Sequence, residues 1–198
     1  MSLKRSYTLF APVYDLIVAR ATQAARRQNL LELARCPPGE VLLVGVGTGL
    51  DLPHLPTVHR YVGVDLTAAM LARSLRQARG HAYHAVQGSA LTLPFASDRF
   101  DHTVLHLILA VVPDPARALQ EALRVTRPGG SLLILDKFLR PGQRAWLRRS
   151  LTPLSGRIAT RMDVVFEELL EDVPDTVLEH DEAALAGGWF RRLRLRKA

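Results

Sequence analysis

The chain has 198 residues, 48% of them hydrophobic and 23% charged, with a net charge of +7 and one cysteine. That length suits a single domain burying about 70% of its unfolded surface, and Cys36 alone forms neither an internal disulfide nor a cysteine metal cluster, which points to a reduced, cytoplasmic setting. No apolar run approaches the roughly 20 residues of a membrane span, and the N-terminal residues lack the positive-then-apolar pattern of a signal peptide.

In chain order, Val13, Leu16, Ile17, Ala21, Ala24 and Leu31 recur near the helical period and predict a helix over 12–34, which Pro37-Pro38-Gly39 ends. An apolar run predicts strand 1 at 41–45. It closes in Gly45-Val46-Gly47-Thr48-Gly49, after which a short helix should follow. Tyr61-Val62-Gly63-Val64-Asp65 predicts strand 2, ending in a lone acid. Thr67 suits the N-cap of a helix over 68–79 that Gly80 stops. Strands at 82–87 and 101–107 follow, then a helix from Pro113-Asp114-Pro115 to Thr126. Pro128-Gly129-Gly130 turns the chain into strand 5 at 131–137. Residues 141–172 read as two helical segments broken near Pro153 and Gly156, and 176–182 and 189–196 as strands. Alternating strands and helices predict an α/β fold whose parallel sheet is covered on both faces, with right-handed crossovers.

The glycine run and Asp65 carry most of the chemistry. Glycines let backbone N–H groups approach a ligand where a Cβ would collide, and an acid closing the second strand can take both hydroxyls of a ribose. A dinucleotide-binding turn spaces its small residues as G-x-G-x-x-G/A. Here the third glycine arrives one residue early, at Gly49, and Leu50 occupies the position a dinucleotide turn keeps small. A turn that binds no nucleoside is the bland alternative.

The G-x-G-x-G spacing followed by Asp65 resembles the first two motifs of class I S-adenosylmethionine-dependent methyltransferases. Further pieces are similar to the ubiquinone/menaquinone C-methyltransferase family: Phe10 to Asp15 (FAPVYD), Gly88 to Phe95 (GSALTLPF), Asp101 with His106 to Pro115 (HLILAVVPDP), and Leu123 to Gly130 (LRVTRPGG). The format and the run Gly45 to Pro53 also resemble bacterial phosphatidylethanolamine N-methyltransferases. The resemblance has two departures. Leu43 stands where an acid is usual, two residues before the first glycine, and Ser89 stands where an Asp is usual. They motivate a second class of function, a cofactor-binding relative that has lost transfer activity and serves as a scaffold.

The resemblance implies a Rossmann-like seven-stranded sheet of order 3-2-1-4-5-7-6 with strand 7 antiparallel. It implies one domain over 1–198, with an N-terminal helical cap over 1–40 and a helical lid over 139–174 between strands 5 and 6. S-adenosyl-L-methionine is the implied cofactor. Gly45, Gly47 and Gly49 then wrap its amino-acid part, with N–H groups of the next helix facing its carboxylate. Asp65 holds the ribose. Leu66 and Met70 sandwich the adenine or belong to the core, and Ser89 and Ala90 meet the adenine edge. Methyl transfer needs alignment above all, and a carbon or oxygen nucleophile also needs a base. Tyr14 on the cap helix and His106 after strand 4 are the candidate catalytic residues, His106 also touching the cofactor. The bland alternative for His106 is a satisfied strand-end histidine, and for Asp136-Lys137 an ion-paired strand end. No His, Asp or Glu cluster has metal-ligand spacing.

Arginine supplies 23 of the 26 basic residues. In the lid, Arg140, Arg144, Arg148, Arg149, Arg157 and Arg161 alternate with Trp146, Leu147, Leu151, Leu154 and Ile158. This pattern suits a lipid-like anionic amphiphile or an anionic membrane face, and equally a surface helix with a buried stripe. In the last strand Leu193 and Leu195 should face the core, and Arg192, Arg194 and Arg196 solvent. The usual nucleic-acid domain signatures are absent. The acceptor is expected to be a small molecule or a lipid-like amine or quinone; the sequence leaves its identity and the oligomeric state open.

Overall fold

The computed structural model describes residues 20–140 and 164–198. Seven strands form one sheet in the order β3-β2-β1-β4-β5-β7-β6. β1 (Glu40–Val44), β2 (Arg60–Asp65), β3 (Ala82–Gln87), β4 (Phe100–His106) and β5 (Thr126–Lys137) run parallel. β7 (Phe190–Lys197) lies antiparallel between β5 and β6 (Thr176–Leu185). Strand order reverses between β1 and β4, the place where open α/β sheets bind ligands beyond their carboxyl ends.

The helices are α1 (20–30), α2 (Ala68–Gln77), α3 (Pro115–Val125) and α4 (Phe166–Glu171). Successive strand residues point to opposite faces, and here both faces are apolar, as a sheet covered on both sides requires. Val41, Leu43, Val104 and Leu133 pack with Leu30, Leu33 and Leu71 on one face. Leu42, Val44, Leu105, Leu132 and Ile134 pack with Leu119, Ala122, Phe166 and Leu169 on the other.

Several local expectations change. The segment after the glycine loop is only a three-residue 3-10 turn, Leu52–His54, with Pro53 inside it, so it offers no helix terminus to a carboxylate. Thr67 precedes α2 without capping it through its side chain; instead its N–H donates to Asp65 Oδ1 at 2.8 Å. Asp114 does cap α3, accepting from Arg117 N at 3.0 Å. β5 begins at Thr126, not 131. Thr126 pairs with Phe100 and Ser131 with His102, so the Pro-Gly-Gly segment is an excursion within the strand.

In β7 the leucines are buried and Arg196 is exposed, as expected, but Arg192 and Arg194 are half-buried, and all three are ion-paired. Arg194 pairs with Glu32 at 3.1 Å and Glu179 at 3.0 Å, Arg196 with Glu179 at 2.7 Å, and Arg192 with Glu182. β6 sets Glu179 and Glu182 beside β7, where opposite charges on neighbouring strands attract, and Glu32 reaches Arg194 from the turn after α1. Arg191, on the core face, is buried and pairs with Asp181 at 2.5 Å and Glu167 of α4 at 2.8 Å. Tyr14 and most of the lid, with Arg144, Arg148, Arg149, Arg157 and Arg161, lie outside the described residues. Among the described residues no helix is long and apolar enough to cross a membrane.

Candidate cofactor and active site

The carboxyl ends of β1, β2 and β3 carry the glycine loop, Asp65 and the 88–92 turn. Backbone bonds hold them side by side: Val46 N donates to Val64 O at 3.0 Å, and Gly88 N to Asp65 O at 3.1 Å. Gly45, Gly47 and Gly49 all adopt positive φ. Two of them are needed for different reasons. A Cβ on Gly49 would lie 2.9 Å from Ser74 Cα and 2.9 Å from Leu52 Cδ1, so this glycine lets α2 pack against the loop. Among the described residues a Cβ on Gly47 would meet only Gly45 O, at 3.9 Å, so they leave the space beside Gly47 open.

Asp65 joins loop to strand. Its Oδ2 accepts from Gly47 N at 3.0 Å and its Oδ1 from Thr67 N at 2.8 Å. An ionised carboxylate has about four acceptor sites, so capacity remains for a ligand's paired hydroxyls. Burial pushes the carboxyl above its usual range, opposed by the Thr67 and Gly47 N–H groups. Beside it Leu66 is 68% exposed, while Met70 is half-buried. Ser89 and Ala90 are half-buried in the turn after β3, where Ser89 Oγ accepts from Leu91 N at 3.2 Å. The following segment is fastened by α3. Glu121 accepts from Leu93 N at 2.8 Å, and Arg124 donates to Leu93 O at 3.0 Å and Phe95 O at 2.8 Å. These α3 clamps gave no sign in the sequence beyond an ordinary amphipathic helix.

At the ends of β4 and β5, two candidate groups turn out to be deeply set. His106 is buried, with Nδ1 2.9 Å from Asp51 Oδ1 and Nε2 2.9 Å from Asn29 Nδ2, so both ring nitrogens are engaged. Asp136 is also buried and does not form the ion-paired strand end. It accepts from Ala110 N at 3.1 Å and Lys137 N at 2.8 Å, tying the loop after β4 to β5. That loop turns on Leu107 at φ 56. Among the described residues no group of His, Cys, Asp or Glu side chains is placed to hold a metal ion.

Burial raises the Asp136 carboxyl to about 6, against its N–H partners and Lys137. Between its ordinary 3.8 and about 6, the folded protein keeps a proton that the unfolded chain releases. The group's contribution to stability is therefore full below 3.8 and lost as pH rises through about 6. Each unit is about 1.4 kcal/mol. Urea unfolding at about pH 4 and about pH 7 should show that Asp136→Asn removes a contribution of up to about 3 kcal/mol to the difference between the two. An unchanged difference in the variant contradicts the assignment.

Comparison with known proteins decides the family. Residues 42–134 match the model of the methyltransferase domain. Phosphatidylethanolamine N-methyltransferase of Cereibacter sphaeroides is 30% identical over 201 residues, spanning 99% of this chain and 98% of that protein. The chain belongs to the S-adenosylmethionine-dependent methyltransferases. Demethylmenaquinone methyltransferase of Roseiflexus sp. strain RS-1 is 32% identical over 168 residues, covering 78% of this chain and 70% of its own. In fold, a SAM-dependent methyltransferase of Thermotoga maritima, described as a possible histamine N-methyltransferase, superposes with a TM-score of 0.70 at 20% identity, over 98% of this chain and 99% of that one.

S-adenosylmethionine is the methyl donor of this methyltransferase. The described residues fit it: open space beside Gly47, a half-buried carboxylate with spare acceptor sites, and an exposed leucine next to that carboxylate.

Proposed function

We propose that the protein methylates an amphiphilic acceptor, a phospholipid amine or a quinone-like ring, at an anionic lipid surface. The bound cofactor supplies an activated methyl group. In this reading Gly45, Gly47 and Gly49 seat its amino-acid end, Asp65 binds the ribose, Leu66 and Met70 flank the adenine, and Ser89 and Ala90 bound the adenine edge. Tyr14 lines the methyl's path from the N-terminal cap. Asp136 orders the loop after β4, which borders the acceptor side. His106, with both ring nitrogens engaged, orients its surroundings rather than taking a proton from the acceptor.

The observation that carries the lipid-surface reading is charge segregation. Residues 20–31 and 68–79, which span α1 and α2 on one sheet face, contain six arginines and no acid. Arg20, Arg27, Arg73, Arg76 and Arg79 of this group make no ion pair among the described residues, and Leu31 and Leu75 are exposed among them. The acids gather elsewhere: Glu167, Glu168 and Glu171 on α4, and Glu179, Asp181 and Glu182 on β6. A basic face with exposed leucines suits an anionic interface. The end-to-end match to an enzyme named for a phospholipid amine favours that acceptor class.

Each arginine near such a surface contributes about 1 kcal/mol. Replacing Arg73, Arg76 and Arg79 by Glu should therefore lower co-sedimentation with phosphatidylglycerol-containing vesicles on the order of a hundredfold. Affinity for S-adenosylmethionine should stay unchanged. Wild-type binding should also fall with added salt. Equal pull-down on neutral and anionic vesicles rejects electrostatic recruitment. Methyl transfer to a demethylated quinol, with none to phosphatidylethanolamine in the same vesicles, would select the quinone-like acceptor.

A further inference from the structure

Beneath the glycine loop lies a buried polar network that methyl transfer itself does not require. Asp51, two residues after Gly49, is 6% exposed. Its Oδ1 accepts from Arg26 Nη1 at 2.8 Å and from His106 Nδ1 at 2.9 Å. Asn29 Nδ2 lies 2.9 Å from His106 Nε2, and Arg26 Nε donates to Thr22 Oγ1 at 3.0 Å. Thr22, Arg26 and Asn29 are all buried and follow one another at helical spacing on the inner side of α1. The network thus joins three elements: the N-terminal helix, the exit of the glycine loop and the end of β4.

Burying this many polar groups is costly unless every partner is present, and removing one partner leaves a charge stranded. Burial alone would raise the Asp51 carboxyl; His106 and Arg26 outweigh it and hold the group well below the usual carboxylate range. The pairing also sets the state of the ring. An amide nitrogen only donates, so Nε2 accepts from Asn29 and the ring proton sits on Nδ1, facing Asp51. Arg26 Nη1 and His106 Nδ1 then both donate to the same oxygen, Asp51 Oδ1.

We propose that Arg26, Asp51, His106 and Asn29 are positioning residues for the cofactor loop, locking α1, the Gly49–Asp51 turn and the end of β4 into one unit through an imidazole that donates from Nδ1 and accepts at Nε2. The proposal rests on the reading that the glycine loop binds S-adenosylmethionine. Arg26 and Asp51 carry the charge balance. His106 reports it, and Asn29 closes the network from the helix.

The test combines imidazole ¹⁵N spectra with calorimetric titration of the full chain. In the wild type, His106 should show a protonated Nδ1 and an unprotonated Nε2 at neutral pH. Arg26→Met leaves His106 as the remaining side-chain partner of Asp51, so the ring should take a second proton and affinity for S-adenosylmethionine should fall at least tenfold. The double variant Arg26→Met/Asp51→Asn restores charge balance and should recover most of that affinity, which simple loss of packing does not predict. Where Arg26→Met fails to fold, Asn29→Asp serves: a carboxylate at Nε2 should convert His106 to the imidazolium without changing side-chain volume. A wild-type ring protonated on Nε2, wild-type affinity in a folded Arg26→Met variant, or a neutral ring in Asn29→Asp overturns the proposal. Wild-type protein that binds no S-adenosylmethionine sinks the cofactor reading instead, and the ring spectra still decide the network.

Discussion

Asp65→Ala is expected to lower affinity for S-adenosylmethionine at least about tenfold while the fold persists. The carboxylate offers two charge-assisted hydrogen bonds to a ribose, each of roughly 1.5–3 kcal/mol, so a loss of two or three orders of magnitude is in range. Part of the effect is indirect. Asp65 also tethers Gly47 N and Thr67 N, and its removal loosens the glycine loop at a cost near 1 kcal/mol for each unmade bond. Asp65→Asn separates the two contributions. The amide keeps one oxygen acceptor but sets its own donors against an N–H, so affinity should fall between wild type and Asp65→Ala. Titration calorimetry with thermal unfolding checks both; unchanged affinity in a folded Asp65→Ala protein removes Asp65 from the site.

The second large effect is a contrast between two glycines. Both hold positive φ, which costs an alanine about 1–2 kcal/mol, but their surroundings differ. Gly49→Ala pushes a Cβ to 2.9 Å from the α2 backbone at Ser74, so the helix must shift. Its stability loss should exceed the φ cost by about 1–3 kcal/mol. Gly47→Ala meets no atom of the described residues closer than 3.9 Å and should unfold within about 2 kcal/mol of wild type. Its Cβ stands in the open space where the cofactor would approach, so its affinity should nonetheless drop at least about tenfold, a loss of 1.4 kcal/mol or more. Urea unfolding and calorimetry on the two variants give the comparison. A Gly47→Ala protein that binds normally places the cofactor elsewhere.

Much of this architecture could be read from the chain because its information is local. β1 and β2 are largely apolar runs, the first leading into the glycine turn and the second ending in an acid, as strands covered on both faces require. The glycine loop and Asp65 were legible for the same reason, since each is a residue type that its position demands. The order of strands came from resemblance, because periodicity does not say which strand lies beside which. What escaped reading was non-local. Arg26 and Asn29 break the apolar stripe of α1 alongside Ala25 and Leu30, which is a signal of buried polar pairing. Their partners Asp51 and His106 are 25 and 77 residues away, a distance that no spacing rule bridges. The ion pairs of the β7 arginines are non-local in the same way, since the pairing of β6 with β7 brings Glu179 and Glu182 to them. The missing acid at Leu43 drew attention to a position that is plain core, 2% exposed. The buried carboxylate near the loop is Asp51.

Calorimetric titration of the wild-type chain with S-adenosylmethionine and with S-adenosylhomocysteine tests the central assignment most directly. One saturable site per chain for both compounds, with binding abolished or weakened at least tenfold by Asp65→Ala, is the predicted result. Absence of binding by a folded wild-type protein, or binding that is indifferent to Asp65 and Gly47, contradicts it.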